Sequence, residues 1–136
     1  MLSDYLYTFK DLNVFFNLFN YISFRAGISL VTSLFIVVII MPYWIRLQYK
    51  MFPSGQPIRE DGPSTHLSKK GTPTLGGVLI IISIILSTLL WTSEFSKYNY
   101  ILILSLILFG IIGFYDDFKK VKNKKGISSK KKFILQ

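Results

Sequence analysis

Three long stretches of the chain contain no charged residue, and they limit its fold more than any other feature. They comprise 20, 23 and 18 residues and lie between Arg25 and Arg46, between Lys70 and Glu94, and between Lys97 and Asp116. A helix rises about 1.5 Å per residue, so about 20 residues cross the ~30 Å hydrocarbon layer of a bilayer. The sequence therefore predicts three transmembrane helices and excludes an ordinary soluble globule.

The composition supports this interpretation and removes several function classes. The 136 residues are 51% hydrophobic yet carry a net charge of +9, so the apolar and basic residues are segregated along the chain. A soluble nucleic-acid binder is disfavoured because a chain this small offers no core for three apolar runs, and we expect no nucleic-acid partner. The absence of cysteine excludes disulfide scaffolds, thiolate zinc sites and cysteine nucleophiles.

The basic residues predict the orientation in the membrane. Of the 16 lysines and arginines, 13 lie either between residues 46 and 70 or between residues 119 and 132. The positive-inside rule places these two regions in the cytoplasm and the amino terminus outside. Lysines between residues 119 and 132 are also expected to contact anionic lipid headgroups, which are a further predicted partner.

These patterns predict an all-α polytopic membrane protein with three transmembrane helices and the start of a fourth. The apolar residues 133–136 follow the lysine-rich stretch, so we interpret the chain as the front portion of a larger membrane protein. The predicted segments are an amino-terminal periplasmic or interfacial segment (1–25), a first span (26–45), a cytoplasmic loop (46–72), a second span (73–93), a periplasmic turn (94–97), a third span (98–115), a cytoplasmic active-site segment (116–132) and the start of a fourth span (133–136).

The first candidate site is the sequence GFYDDFKK at the end of the third span. If the helix continues, Lys120 is reached by Asp116 at i,i+4 and by Asp117 at i,i+3. Carboxylates that bind Mg²⁺ beside a lysine that binds phosphate oxygens would suit a phosphoryl-transfer site. The alternative is a solvated helix end with a local ion pair.

The second candidate site is the loop before the second span. Thr72 fits a helix N-cap and Pro73 the first helical position, so the positive end of the helix dipole would face the cytoplasm. Free backbone N–H groups, Lys69 and the hydroxyls of Thr72 and Thr74 would then bind an anion such as phosphate. The alternative is ordinary helix capping, in which the following glycines allow close helix packing.

Both motifs together resemble a known family. The loop REDGPSTHLSKKGTPTLGG, followed by GFYDDFKK, is similar to the amino-terminal part of the MraY family, the phospho-N-acetylmuramoyl-pentapeptide-transferases. The wider superfamily of polyprenyl-phosphate sugar-1-phosphate transferases shares the aspartate pair, whereas the GTPTLGG loop favours this family within it.

The resemblance implies an enzyme of the bacterial inner membrane whose active site faces the cytoplasm. It would transfer phospho-N-acetylmuramoyl-pentapeptide from UDP-MurNAc-pentapeptide to undecaprenyl phosphate, forming lipid I and UMP with Mg²⁺ as cofactor. Such an enzyme serves peptidoglycan synthesis, and hence cell shape and division.

The resemblance also implies roles for particular residues. Asp116, Asp117 and Lys120 match the catalytic Asp-Asp-x-x-Lys motif, with Asp117 as the metal ligand, and one aspartate handles the proton of the prenyl phosphate or helps to place it. Lys69 and Thr74 match substrate-binding positions, and Thr72 is assigned with them. Direct attack and a covalent aspartyl intermediate both remain open.

The resemblance also implies that the chain is part of a transferase with roughly ten membrane helices. By segment length, the chain supplies three of these helices and the start of a fourth. A later metal-binding aspartate, a nucleotide loop and a histidine-rich loop would lie elsewhere in the full protein, so the isolated 136-residue chain is expected to be inactive. A homodimer is the expected assembly of the full-length protein.

Two other functions remain open at this point. One is a polyprenyl-phosphate N-acetylhexosamine-1-phosphate transferase, which would keep the same site and use a different UDP-sugar. The other is a non-enzymatic basic membrane protein that binds anionic lipid or a partner helix bundle. Such a protein should tolerate asparagine at both Asp116 and Asp117.

Overall fold

The computed structural model describes residues 2–52, 75–123 and 126–135. Within these ranges the regular structure is helical, as the sequence predicted, and no strand occurs. The elements are α1 (Leu2–Tyr7), a 3₁₀ helix (Val14–Asn20), α2 (Ile22–Met51), α3 (Gly76–Trp91), α4 (Lys97–Asn123) and α5 (Ser129–Leu135).

Two of the described helices are long and apolar enough to cross a membrane. They are α2, with 30 residues and a mean hydropathy of 2.3, and α4, with a mean hydropathy of 2.0. The apolar helix α3 has 16 described residues, or about 24 Å of helix. Its predicted start at Pro73 and its predicted N-cap Thr72 lie outside the described residues. A count of three membrane-spanning helices therefore stays a prediction.

Both long helices continue beyond the uncharged stretches that predicted them. Helix α2 begins at Ile22 and ends at Met51, and α4 continues past Tyr115 to Asn123. A charged side chain disfavours the hydrocarbon layer, but it does not interrupt backbone hydrogen bonding in a helix. As a result, Asp116, Asp117 and Lys120 lie on the last turns of a long helix.

The first compact unit consists of Met1–Ile39 and Ile80–Ser105. The indole N–H of Trp91 donates to the hydroxyl of Thr32 at 3.0 Å, and Arg25 donates to Ser93. The Phe19 ring stacks on the Trp91 ring, with the centroids 5.8 Å apart. In this unit, Arg25 and Thr32 of α2 therefore lie next to the end of α3 and the residues that follow it.

The second compact unit consists of Ile40–Leu79 and Leu106–Gln136. The indole N–H of Trp44 donates to the Leu75 carbonyl at 3.0 Å, and the Gln48 side-chain carbonyl accepts the Leu75 N–H at 3.2 Å. The rings of Phe52 and Phe118 meet edge to face at 6.0 Å. In this unit the end of α2 therefore contacts Leu75, the residue before α3, and Phe52, which follows α2, contacts Phe118 of α4.

Gln48 is expected to contribute measurably to stability. Its side-chain oxygen is buried and accepts the buried Leu75 N–H, whereas its Nε2 is buried without a hydrogen-bond partner among the described residues. Because Gln48→Leu would leave the Leu75 N–H unpaired but also remove the unpaired Nε2, it should lower the free energy of unfolding by about 1 kcal/mol. Denaturant titration of the chain in detergent micelles measures this change. The neighbouring exposed residue provides the control Tyr49→Phe, which should have little effect. Equal stability of the Gln48→Leu variant and the parent would contradict the prediction.

Candidate functional site

Asp116 is a buried carboxylate near the end of α4, with a side chain only 5% exposed. Its Oδ2 lies 2.8 Å from Lys120 Nζ and 3.1 Å from Lys132 Nζ. Its Oδ1 accepts the backbone N–H of Ile127 at 2.8 Å. Two ammonium groups and one amide therefore compensate the charge of a carboxylate that has little access to water.

Asp117 is the more accessible member of the pair. Its side chain is 33% exposed, and its Oδ1 lies 3.0 Å from Lys120 Nζ. Within the part of the chain that the structure describes, Lys120 is its one polar partner. The helix thus brings Lys120 within reach of both carboxylates at the i,i+4 and i,i+3 spacings expected from the sequence.

Three further residues of the predicted active-site segment (116–132) belong to this site, although the sequence pattern did not single them out. Ile127 contributes its backbone N–H, and Lys132 contributes an ammonium group from α5. Gly126 provides the space for this approach, because a Cβ atom there would lie 2.6 Å from Asp116 Oδ1. Helical spacing could not reveal these contacts, since they join α4 to chain that follows its end.

The predicted substrate-binding residues Lys69, Thr72 and Thr74 lie outside the described residues, so their roles stay predictions. The described chain resumes at Leu75, which is buried and held by hydrogen bonds to Trp44 and Gln48.

Mg²⁺ binding can be tested against the donor atoms of the site. No group of three or more His, Cys, Asp or Glu side chains suited to a metal ion occurs among the described residues. Mg²⁺ is often bound by one or two carboxylates, with water and substrate phosphates completing the coordination. The accessible carboxylate of Asp117 fits that pattern, whereas both oxygens of Asp116 already have partners.

The electrostatics of the site suit a phosphate-containing ligand. The ammonium groups of Lys120 and Lys132 adjoin the two carboxylates, and their side chains are 30% and 41% exposed. They are therefore neutralised locally but still accessible to an anion. A metal ion on Asp117 would add positive charge next to Lys120, and together they could bind a diphosphate.

Comparison with known proteins agrees with this description. The two long apolar helices, together with the names of the relatives that the chain matches, point to a membrane protein. It is 48% identical over 122 residues to the phospho-N-acetylmuramoyl-pentapeptide-transferase of Rickettsia prowazekii (strain Madrid E) and 46% identical to that of Rickettsia massiliae (strain Mtu5). Each match covers 88% of the chain, so the resemblance to this transferase family is confirmed.

The chain is shorter than the relatives that it matches. The chain spans about a third of the length of these curated relatives, since each match covers 34% of the relative. No protein-family profile matches the chain. Activity, substrates and partners of the whole protein are therefore matters of proposal.

Proposed function

We propose that the chain is part of an enzyme that transfers phospho-N-acetylmuramoyl-pentapeptide from UDP-MurNAc-pentapeptide to undecaprenyl phosphate. The products would be lipid I and UMP, in the first membrane step of peptidoglycan synthesis. The observation that carries this proposal is the pairing of Lys120 with Asp116 and Asp117 in a chain 48% identical to a named transferase. A lipid-binding protein would have no need for two adjacent carboxylates among its lysines.

The residues have distinct parts in the proposed reaction. Lys120, whose ammonium group lies 3.0 Å from Asp117 Oδ1, would attract the phosphate oxygens of the UDP substrate. The accessible carboxylate of Asp117 would hold Mg²⁺. When bound, Mg²⁺ neutralises negative charge on the diphosphate. The bond between the sugar-bound phosphorus and the UMP oxygen breaks and UMP leaves. The same phosphorus forms a new bond to an oxygen of the prenyl phosphate, either directly or after transfer through an aspartyl intermediate.

The proposed location is the bacterial inner membrane, with the site on the cytoplasmic face. This orientation follows the excess of lysine and arginine in the two regions between residues 46 and 70 and between residues 119 and 132. It would give the site access to a water-soluble UDP-sugar and to a lipid acceptor in the bilayer. A homodimer of the full-length protein is part of the same proposal.

A chimera tests the proposed function. In it, this chain replaces the region that it matches in the Rickettsia prowazekii relative. With undecaprenyl phosphate and Mg²⁺, the chimera should release UMP from UDP-MurNAc-pentapeptide and should not use UDP-N-acetylglucosamine. The isolated 136-residue chain is the control and should release no UMP, because its similarity extends over only 34% of that relative.

The other outcomes of the experiment have definite meanings. Turnover of UDP-N-acetylglucosamine alone would identify the alternative sugar-1-phosphate transferase. A folded chimera that turns over neither substrate would contradict both transferase functions. Release of UMP by the isolated chain would contradict its assignment as an incomplete part of the enzyme.

A further inference from the structure

The two neighbouring aspartates have different surroundings. Asp116 accepts the Ile127 N–H on one carboxylate oxygen and contacts Lys120 and Lys132 through the other. Its side chain is 5% exposed, whereas that of Asp117 is 33% exposed. To bind a metal ion, or to share a proton with a phosphate, Asp116 would first have to lose its contacts with the Ile127 N–H and the two lysines. Those contacts compensate the burial of its charge.

We propose that Asp116 is a positioning residue, which holds residues 126–132 against the end of α4. Asp117 is then the carboxylate of the pair that contacts the substrate or its metal ion. Asp116 acts through Lys120, whose ammonium group it keeps beside Asp117. It also holds Lys132, which α5 brings to the same oxygen. This inference deepens the proposed function and rests on it where it concerns the substrate.

Gly126 provides an independent observation for this role. A Cβ atom at this position would lie 2.6 Å from Asp116 Oδ1, 3.0 Å from Lys120 Cε and 3.1 Å from Lys120 Cγ. The first distance is shorter than real Cβ atoms show, so a side chain at residue 126 would force the Asp116 carboxylate to move. The close approach of Gly126 to the Asp116 carboxylate therefore supports a direct contact between the end of α4 and the chain that follows it.

Hydrogen exchange tests the connection in the complete 136-residue chain in detergent micelles. In Asp116→Asn, the Ile127 N–H faces a neutral amide oxygen in place of a carboxylate, which is a weaker acceptor. Its exchange, followed by NMR, should therefore accelerate by about fivefold. Asp117→Asn is the matched control, because Asp117 contacts neither Ile127 nor Lys132 in the described structure. Its exchange rate at Ile127 should remain that of the parent.

Lysine labelling gives a readout that a general loss of helix stability would not reproduce. In Asp116→Asn, acetylation of Lys132 by an amine-reactive reagent should become several-fold faster, because its carboxylate partner is gone. The exposed Lys97, which lies at the other end of α4, should react at an unchanged rate. Asp117→Asn should leave the labelling of Lys132 unchanged.

Gly126→Ala breaks the same connection without removing a charge. It should accelerate exchange at Ile127 and labelling of Lys132 as Asp116→Asn does, because its Cβ would displace the Asp116 carboxylate. Gly113→Ala is the matched control on α4, since a Cβ there meets nothing within 4 Å, and it should change neither measurement.

Parent-like exchange and labelling in Asp116→Asn or in Gly126→Ala would overturn the proposal. So would equal effects of Asp116→Asn and Asp117→Asn, since that result would give the two carboxylates one role. Circular dichroism identifies a variant that fails to fold, and the other variant then decides the question. Because none of these measurements uses turnover, their failure is distinct from inactivity of the chimera.

Discussion

Asp117→Asn in the chimera is expected to reduce the release of UMP by about 10²- to 10³-fold or more. The side chain of Asp117 is 33% exposed and lies next to Lys120, so it is the described carboxylate best able to reach a metal-bound diphosphate. Asparagine keeps the size of the side chain but removes the negative charge that binds Mg²⁺. Steady-state release of UMP from UDP-MurNAc-pentapeptide measures the effect.

The controls separate loss of the metal ligand from loss of the fold. Asp11→Asn changes an exposed aspartate in the amino-terminal segment and should leave turnover unchanged. In the unsubstituted chimera, EDTA should abolish turnover and excess Mg²⁺ should restore it. Near-normal turnover by a folded Asp117→Asn chimera would show that this carboxylate is not needed for the reaction.

The second large effect is expected for Lys120→Gln. The Lys120 ammonium group lies 2.8 Å from Asp116 Oδ2 and 3.0 Å from Asp117 Oδ1. Glutamine would remove a cation that stabilises charge on the phosphate oxygens in the transition state, and kcat/KM should fall by about 10²-fold. The same substitution would also weaken the positioning of both carboxylates.

The measurement compares kcat/KM of the Lys120→Gln chimera with that of Lys122→Gln. Lys122 lies on the same helix but is exposed, so its substitution removes a similar charge away from the two carboxylates. A comparable loss in both variants would indicate that general positive charge, rather than the placement of Lys120, supports the reaction.

The sequence predicts the locations of the three apolar helices α2, α3 and α4 because the hydrophobic pattern is strong. The uncharged stretches locate α2, α3 and α4, and helical spacing correctly predicts that Lys120 reaches Asp116 and Asp117. The helix ends are less predictable. Charge marks where a segment becomes unfavourable in lipid, whereas helix length depends on continued backbone hydrogen bonding.

The amino-terminal segment illustrates a different limit. The sequence predicts only a periplasmic or interfacial segment for residues 1–25, whereas the structure has a 3₁₀ helix from Val14 to Asn20, separate from α1. The Asn13 side chain accepts the Phe15 N–H at 2.9 Å and so caps this element. Ring contacts such as that of Phe19 with Trp91 involve residues distant in the sequence, which local spacing cannot anticipate.

Most contacts of Asp116 could not be predicted either, because they involve residues that are distant in the sequence. Its partners Ile127 and Lys132 are 11 and 16 residues away, and their contacts depend on how the chain turns after α4. A lysine-rich sequence does not distinguish Lys132 from its neighbours. Only the folded chain brings its ammonium group to Asp116 and the Gly126 backbone close to the same carboxylate.

The most direct test concerns the location of the two candidate sites on one cytoplasmic face. The chain contains no cysteine, so Thr72→Cys, Lys122→Cys and Lys97→Cys can each be made separately in the chimera, with any cysteine of the remaining sequence replaced by serine. A membrane-impermeant maleimide added to intact cells should modify the Lys97→Cys variant alone. The Thr72→Cys and Lys122→Cys variants should both react once the membrane is permeabilised. Labelling of positions 72 and 122 from opposite sides of the membrane would contradict the account.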